Sequence, residues 1–209
     1  MDIKIAVAVV TNRQVRPKTV HSLLKMIVGT PFSVYPIVSE EHYTTAEGRA
    51  YCVWQARKND CSHILFVDDD MVFPNDTLEK LMNHGKEIVG VFSYSRVLPL
   101  SPTIMFMDEN RQYLPQDKMT SEQLNRPKEL FECWAVGMGV ALINMDVFNK
   151  LNEPWFNVKI HDNGKVLLGE DAFFCARAHE TGYTVWCDPT LEIMHLGEYA
   201  YGEKINLDD

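Results

Sequence analysis

Three adjacent carboxylates, Asp68, Asp69 and Asp70, stand at the end of the apolar run in SHILFVDDDMVFP. Such neighbours repel one another and resist desolvation, so a compensating charge is expected beside them. Mg2+ or Mn2+ would supply it, because these cations take carboxylate oxygens and leave coordination positions for phosphate oxygens and water. Asp68 and Asp70 flank a single residue, and on an extended strand end both would point the same way. The alternative is a solvated acidic turn ahead of a helix, since FPNDTLEKLM carries helix-start residues. Further along, Glu170 and Asp171 follow Gly169 at the start of a helical pattern. Acids in a first turn complement the helix dipole. Asp171 also precedes Phe174 and Cys175 by one turn, on the face that meets the protein body, where a carboxylate could act as general base for a hydroxyl. His195 closes LEIMHLG; alone it reads as a core or surface imidazole, and with Asp68 and Asp70 it becomes a third metal ligand.

The elements around these residues read as alternating strands and helices. IKIAVAVV, FSVYPIV, HILFV and EIVGVFSY have strand character, while RPKTVHSLLKMIV, TTAEGRAYCVWQARKN and NDTLEKLMNHG have helical spacing. This order predicts an α/β fold with a mostly parallel sheet flanked by helices, whose ligands bind beyond the carboxyl ends of the strands. The aspartates sit at that end. Residues 96–132 are polar and proline-bearing, with one strand in PTIMFM, and read as a long loop of the kind that carries specificity. Regular structure resumes with a strand and helix joined at Asn144, then the helix GEDAFFCARAHETGY and the strands TVWCD and LEIMHLG. The expectation is one domain over 1–209.

The formal net charge of −9 disfavours non-specific nucleic-acid binding, which needs a basic footprint. The five cysteines, Cys52, Cys61, Cys133, Cys175 and Cys187, form no CxxC pair and no zinc-ligand spacing. They read as reduced core residues in a cytoplasmic setting. No segment reaches transmembrane length, and MDIKIAVAVVTN reads as a first strand rather than a leader.

Taken in order, these segments resemble the GT-A-fold glycosyltransferases, especially the family 2-like enzymes and their small bacterial and phage relatives. ILFVDDDMVFPNDTLEKLM resembles their strand, DxD motif and following helix. AVGMGVALINMDVFNKL resembles the glycine-containing acceptor-side segment, GEDAFFCARAHETGY the ED motif and its helix, and IMHLG the C-terminal metal histidine. A lone DxD is weakly specific, whereas the set in this order is strongly so. The resemblance implies a GT-A Rossmann-like fold with a nucleotide-sugar-binding half (1–95), a variable acceptor-side loop (96–132) and an acceptor or catalytic half (133–209). It implies a Mn2+- or Mg2+-dependent enzyme that moves a sugar from a nucleoside-diphosphate donor, a UDP-sugar first among them, to an acceptor hydroxyl. The acceptor could be a glycan, protein, lipid or modified nucleobase.

By the same resemblance Asp68, Asp70 and His195 would hold the metal, and Asp68 could instead touch the donor ribose. Thr11 and Asn12 would border the nucleobase, with Arg49, Asp69 and Arg96 among the donor contacts. Asp171, with Glu170 beside it, would be the catalytic base of an inverting reaction. The chain departs from the pattern where GRAYCV lacks the asparagine that usually follows the arginine, and where the acid after the second strand appears only in SEEH. A haloacid-dehalogenase-type phosphatase is the main rival, since DDDMV satisfies its motif with Asp68 as nucleophile, Asp70 as acid/base and Lys165, Glu170 and Asp171 downstream. That family usually carries its nucleophile on the first strand, and it assigns His195 no role. A sugar-phosphate nucleotidyltransferase wants a glycine-rich first loop, absent from VAVVTNRQVRPKT. A catalytically inactive nucleotide-sugar-binding module is the non-enzymatic alternative.

Overall fold

The computed structural model describes residues 3–11, 14–39, 44–96, 101–114, 119–120 and 126–197. Its centre is a seven-stranded sheet. Strand β1 (Lys4–Val10) lies between β2 (Ser33–Ser39) and β3 (His63–Asp68), parallel to both. After β3 come the short β4 (Met71–Val72) and β5 (Ile88–Val91). The segment 96–132, expected as loop, contributes β6 (Ile104–Met107), β7 (Tyr113–Leu114) and the start of β8 (Phe131–Cys133), and β9 (Ala135–Val136) follows it. Strands β7, β6 and β9 form a small antiparallel sheet that buries Ile104 and Phe106 in the core. The sequence anticipates β6 in PTIMFM. Positions 97–100, 115–118 and 121–125 of the expected loop lie outside the described residues.

Strand β10 (Val140–Asn144) inserts antiparallel between β3 and β5, a placement that segment order alone does not reveal. The hairpin β11 (Lys159–Ile160) and β12 (Val166–Leu168) stands apart from the sheet. Strand β13 (Val185–Asp188) runs parallel to β5 and antiparallel to β8, and β14 (Met194–His195) pairs with β4. The sheet is therefore mixed: parallel on the β2–β1–β3 side and at β5–β13, antiparallel around β10 and β8.

Alternation along the strands sorts the core into two layers. Ala6, Ala8, Ile64, Phe66 and Ile143 face one side, together with Cys52 and Val53 of α2 (Thr45–Lys58), Phe148 of α4 (Met145–Lys150) and Phe174 of α5 (Glu170–Glu180). Ile5, Val7, Val9, Leu65 and Val67 face the other, against Leu23 and Met26 of α1 (Pro17–Gly29) and Leu78 and Leu81 of α3 (Thr77–Asn83). Helix boundaries follow local chemistry. Pro17 opens α1, Thr44 and Glu47 form a capping box on α2, and the Asn144 side chain accepts from the Asp146 amide to start α4. All five cysteines are buried and unpaired with one another.

One close approach holds the small sheet against the large one. A Cβ on Gly90 of β5 would lie 2.5 Å from Cγ2 of Val136, which is itself buried. Gly90→Ala is expected to cost about 1–3 kcal/mol in urea unfolding through overpacking. The double variant Gly90→Ala/Val136→Ala should lose less than the sum of the two single changes, because Val136→Ala vacates the space the new methyl needs.

Candidate functional site

At the carboxyl ends of β1, β2 and β3 the chain opens a cleft of about 710 Å³. Asp68, Asp69, Asp70, Glu170, Asp171 and His195 all border it, with Thr11, Arg49 and Arg96. These are the residues singled out from sequence, apart from Asn12, which lies outside the described residues. Lys165, which the phosphatase scheme needs, is exposed in the hairpin region and does not border the cleft.

The most deeply placed charge of the cleft is Arg49. On α2 it shares the buried face with Gly48, Cys52, Val53 and Ala56, and it is 2% exposed. Its Nη2 stands 3.3 Å from Asp68 Oδ1, 3.2 Å from Asp171 Oδ1 and 3.7 Å from Glu170 Oε1. Its Nη1 donates to the Met138 carbonyl at 3.3 Å. Burial opposes the charge on Arg49, but Asp171, Asp68 and Glu170 together outweigh it and raise its pKa. The Asp68 carboxyl is pushed up to about 6 by burial, with Arg49 pulling it back and Asp171 and Asp70 adding repulsion. Asp171 has its Oδ2 pinned by the Met138 amide at 3.0 Å. Expected from sequence as a donor contact, Arg49 borders the cleft at 2% exposure, with its guanidinium held by the carboxylates.

A second cluster surrounds Asp70. A turn at Asp69 and Asp70 ends β3, so the two outer aspartates do not extend one straight strand; each meets its own cation. Asp70 is 5% exposed. Its Oδ2 accepts from Arg96 Nη1 at 2.6 Å and its Oδ1 lies 3.2 Å from His195 Nε2. The β4–β14 ribbon makes this possible: His195 is in register with Met71, and the Leu196 amide donates to the Asp70 carbonyl at 2.8 Å. His195 Nδ1 lies 3.0 Å from the Tyr94 carbonyl, which can only accept, so Nδ1 carries the proton and Nε2 faces Asp70. The hydrogen bond to Asp70 raises the His195 pKa against the effect of burial. Burial would raise the Asp70 carboxyl, but His195 and Arg96 prevail and leave it below its ordinary value.

Asp69 serves a different part of the cleft. Its Oδ2 accepts from the Thr11 hydroxyl at 2.6 Å, and its carbonyl accepts from the Arg16 amide at 2.8 Å. The Thr11 amide in turn donates to Ser39 Oγ at 3.3 Å, so β1, β2 and the turn after β3 are tied together. Gln14, Arg16, Ser39, Thr44 and Thr45 also line the cleft and were not singled out from sequence. The available signal was position: each is a polar residue close to the carboxyl end of β1 or β2. Gly139 was missed as a positioning residue. A Cβ there would lie 3.2 Å from Met71 Sδ and 3.4 Å from Asp68 Oδ2, and its carbonyl accepts from the Asp68 amide.

Among the described residues, no three His, Cys, Asp or Glu side chains are grouped as a metal centre. Asp70 and His195 are in contact, whereas Asp68 is turned to Arg49. The Asp70–His195 pair fits a divalent cation in donor type, and a backbone carbonyl fixing Nδ1 is the usual way to aim Nε2 at a metal.

No protein-family model matches the sequence, and no curated protein sequence matches it. Solved structures do. A197 from STIV superposes with a TM-score of 0.62 at 16% identity, over 94% of this chain and 87% of that one. GalNAc-T7, solved with UDP, GalNAc and Mn2+, gives 0.53 at 11% identity over 93% of this chain. TarS of S. aureus gives 0.54 at 16% identity over 90%. The chain has the GT-A fold. It spans 44% of the length of GalNAc-T7 and 35% of TarS, so the correspondence with these two GT-A glycosyltransferases concerns one part of each. No described helix is long and apolar enough to cross a membrane.

The buried Arg49 generates a prediction independent of any ligand. Arg49→Met leaves Asp68, Glu170 and Asp171 facing one another without a cation, and should cost about 3–5 kcal/mol in chemical unfolding at neutral pH. The deficit should shrink as pH falls through about 6, where the Asp68 carboxyl takes up its proton and its repulsion with the neighbouring acids is relieved. A pH-independent deficit would mean that Arg49 contributes packing alone.

Proposed function

We propose that this chain is a metal-dependent glycosyltransferase, moving a sugar from a nucleoside-diphosphate donor to an acceptor hydroxyl. The observation that carries the reading is the division of the cleft into two charge clusters. Asp70, His195 and Arg96 stand on one side; Arg49 with Asp68, Glu170 and Asp171 stands on the other. A donor diphosphate and an acceptor hydroxyl need such separate environments. The GT-A fold and the UDP, GalNAc and Mn2+ of the GalNAc-T7 structure favour a UDP-sugar and Mn2+.

Asp70 and His195, with Asp68 turned from Arg49 or acting through water, would hold Mn2+ or Mg2+. The bound cation would neutralise charge gathering on the departing nucleoside diphosphate. Arg96, 52% exposed and paired with the same carboxylate, would bind donor phosphate. Thr11 and Asp69 would border the nucleoside, and Asn12, next to Thr11 in the sequence, is proposed for the same role. Arg49 acts as a positioning residue in this scheme, fixing the carboxylates rather than touching the donor. Asp171 takes the acceptor proton as the hydroxyl oxygen bonds to the anomeric carbon. The bond from that carbon to the diphosphate breaks, and its electron pair leaves with the nucleoside diphosphate. Glu170 stands beside Asp171 as the second acid. The proposed donor half (1–95) and acceptor half (133–209) both contribute residues to each cluster.

Two substitutions separate these roles. Asp70→Ala should abolish Mn2+-dependent UDP-sugar binding in calorimetry while leaving the melting profile of the free protein cooperative. Unchanged Mn2+ and donor affinity would remove Asp70 from the metal site. Asp171→Asn should lower transfer by roughly 10²–10⁴-fold, the range for a positioned general base, with donor affinity nearly unchanged. Near-normal turnover combined with a lower melting temperature would reduce Asp171 to a structural partner of Arg49 and the Met138 amide.

A further inference from the structure

Helix α1 carries an apolar ridge that none of the described residues covers. Its inner face, with Leu23 and Met26, packs on the sheet. Val20, Leu24 and Val28, spaced by four, are 39%, 58% and 85% exposed. This spacing stacks them along one side of the helix. Lys18, His21 and Lys25, at spacings of three and four, form a second exposed row beside the ridge. Between the ridge and the Val72–Pro74 segment lies a concavity of about 730 Å³.

Charge is distributed as unevenly as hydrophobicity. The chain carries a formal charge of −9, yet residues 3–39 contain no Asp or Glu, while Lys4, Arg13, Arg16, Lys18 and Lys25 fall within them. A helix with one face on its own protein, an exposed apolar stripe and a cationic flank has the make-up of an interfacial helix. Its cations complement an anionic surface, which the rest of this acidic protein would repel. Val28 stands proud rather than recessed, which suits a deformable partner into which a ridge can sink.

We infer that the outer face of α1 docks the protein on an anionic membrane surface, with Val20, Leu24 and Val28 entering the interface and Lys18 and Lys25 meeting lipid phosphates. Arg16, at the N-cap of α1, also lines the cleft, so docking places the cleft mouth beside the bilayer. The inference does not depend on the transferase reading.

Co-sedimentation of the full chain with vesicles tests it. Wild type should partition onto vesicles of equal parts phosphatidylglycerol and phosphatidylcholine, not onto phosphatidylcholine alone, and less at about 0.5 M than at about 0.1 M salt. Lys18→Gln/Lys25→Gln should lower the partition coefficient about 30-fold, at about 1 kcal/mol per basic residue near an anionic surface. Leu24→Ser/Val28→Ser should also weaken it, with an unchanged melting temperature since both side chains are exposed. Binding by both double variants equal to wild type overturns the inference, as does equal wild-type partition onto phosphatidylcholine alone. Absence of vesicle binding together with self-association that Leu24→Ser/Val28→Ser abolishes would assign the ridge to a second copy of the chain instead.

Discussion

The arrangement of the cleft depends on one buried cation. An arginine at 2% exposure on the core face of a helix is costly unless its charge is matched, because little water reaches it to replace a missing partner. Arg49 is matched by carboxylates from β3 and from the first turn of α5, and by the carbonyl of Met138 before β10. Four separate parts of the chain are thereby drawn to a point. The same cation offsets the repulsion among acids that would otherwise resist so close a grouping. The geometry of Asp171 follows from this, since its two oxygens are shared between Arg49 and the Met138 amide.

The second cluster is built differently. Asp70 meets Arg96 and His195, and His195 is carried there by a two-residue ribbon rather than by the central sheet. Arg96 is half exposed, so this ion pair is open to exchange in a way the Arg49 cluster is not. The arginine of one cluster is set within the core; that of the other borders solvent and can trade partners. Such a contrast suits a site that binds and releases an anionic ligand against a fixed set of carboxylates.

Outside the cleft, net charge conceals local order. The acids crowd the carboxyl ends of the strands and the second half of the chain, leaving the β1–α1–β2 unit without one from residue 3 to residue 39. A single figure of −9 thus describes neither the cleft nor the face of α1. Each must be read from its own residues.

Much of this was legible in the amino-acid sequence, for a physical reason. Elements with strong local signals came through: β3 from ILFV, α4 from the strand–helix junction at Asn144, α5 from GEDAFFCARAHE, and the acids at the end of β3 from their adjacency. Strand period, helix caps and neighbouring charges act over a few residues, so a linear reading detects them. Tertiary structure alone decided that β10 runs antiparallel between β3 and β5, and that part of the expected loop forms a small sheet. It also turned Asp68 to Arg49 while Asp70 turned to Arg96 and His195, and it buried Arg49 in the cleft wall. Those outcomes depend on which distant segments share a buried space. His195 and Asp70 are separated by most of the chain, and their meeting depends on the pairing of β14 with β4, whose strands are only two residues long. Composition at Asp70 established that a counter-charge was needed; only the folded chain determined which one arrived.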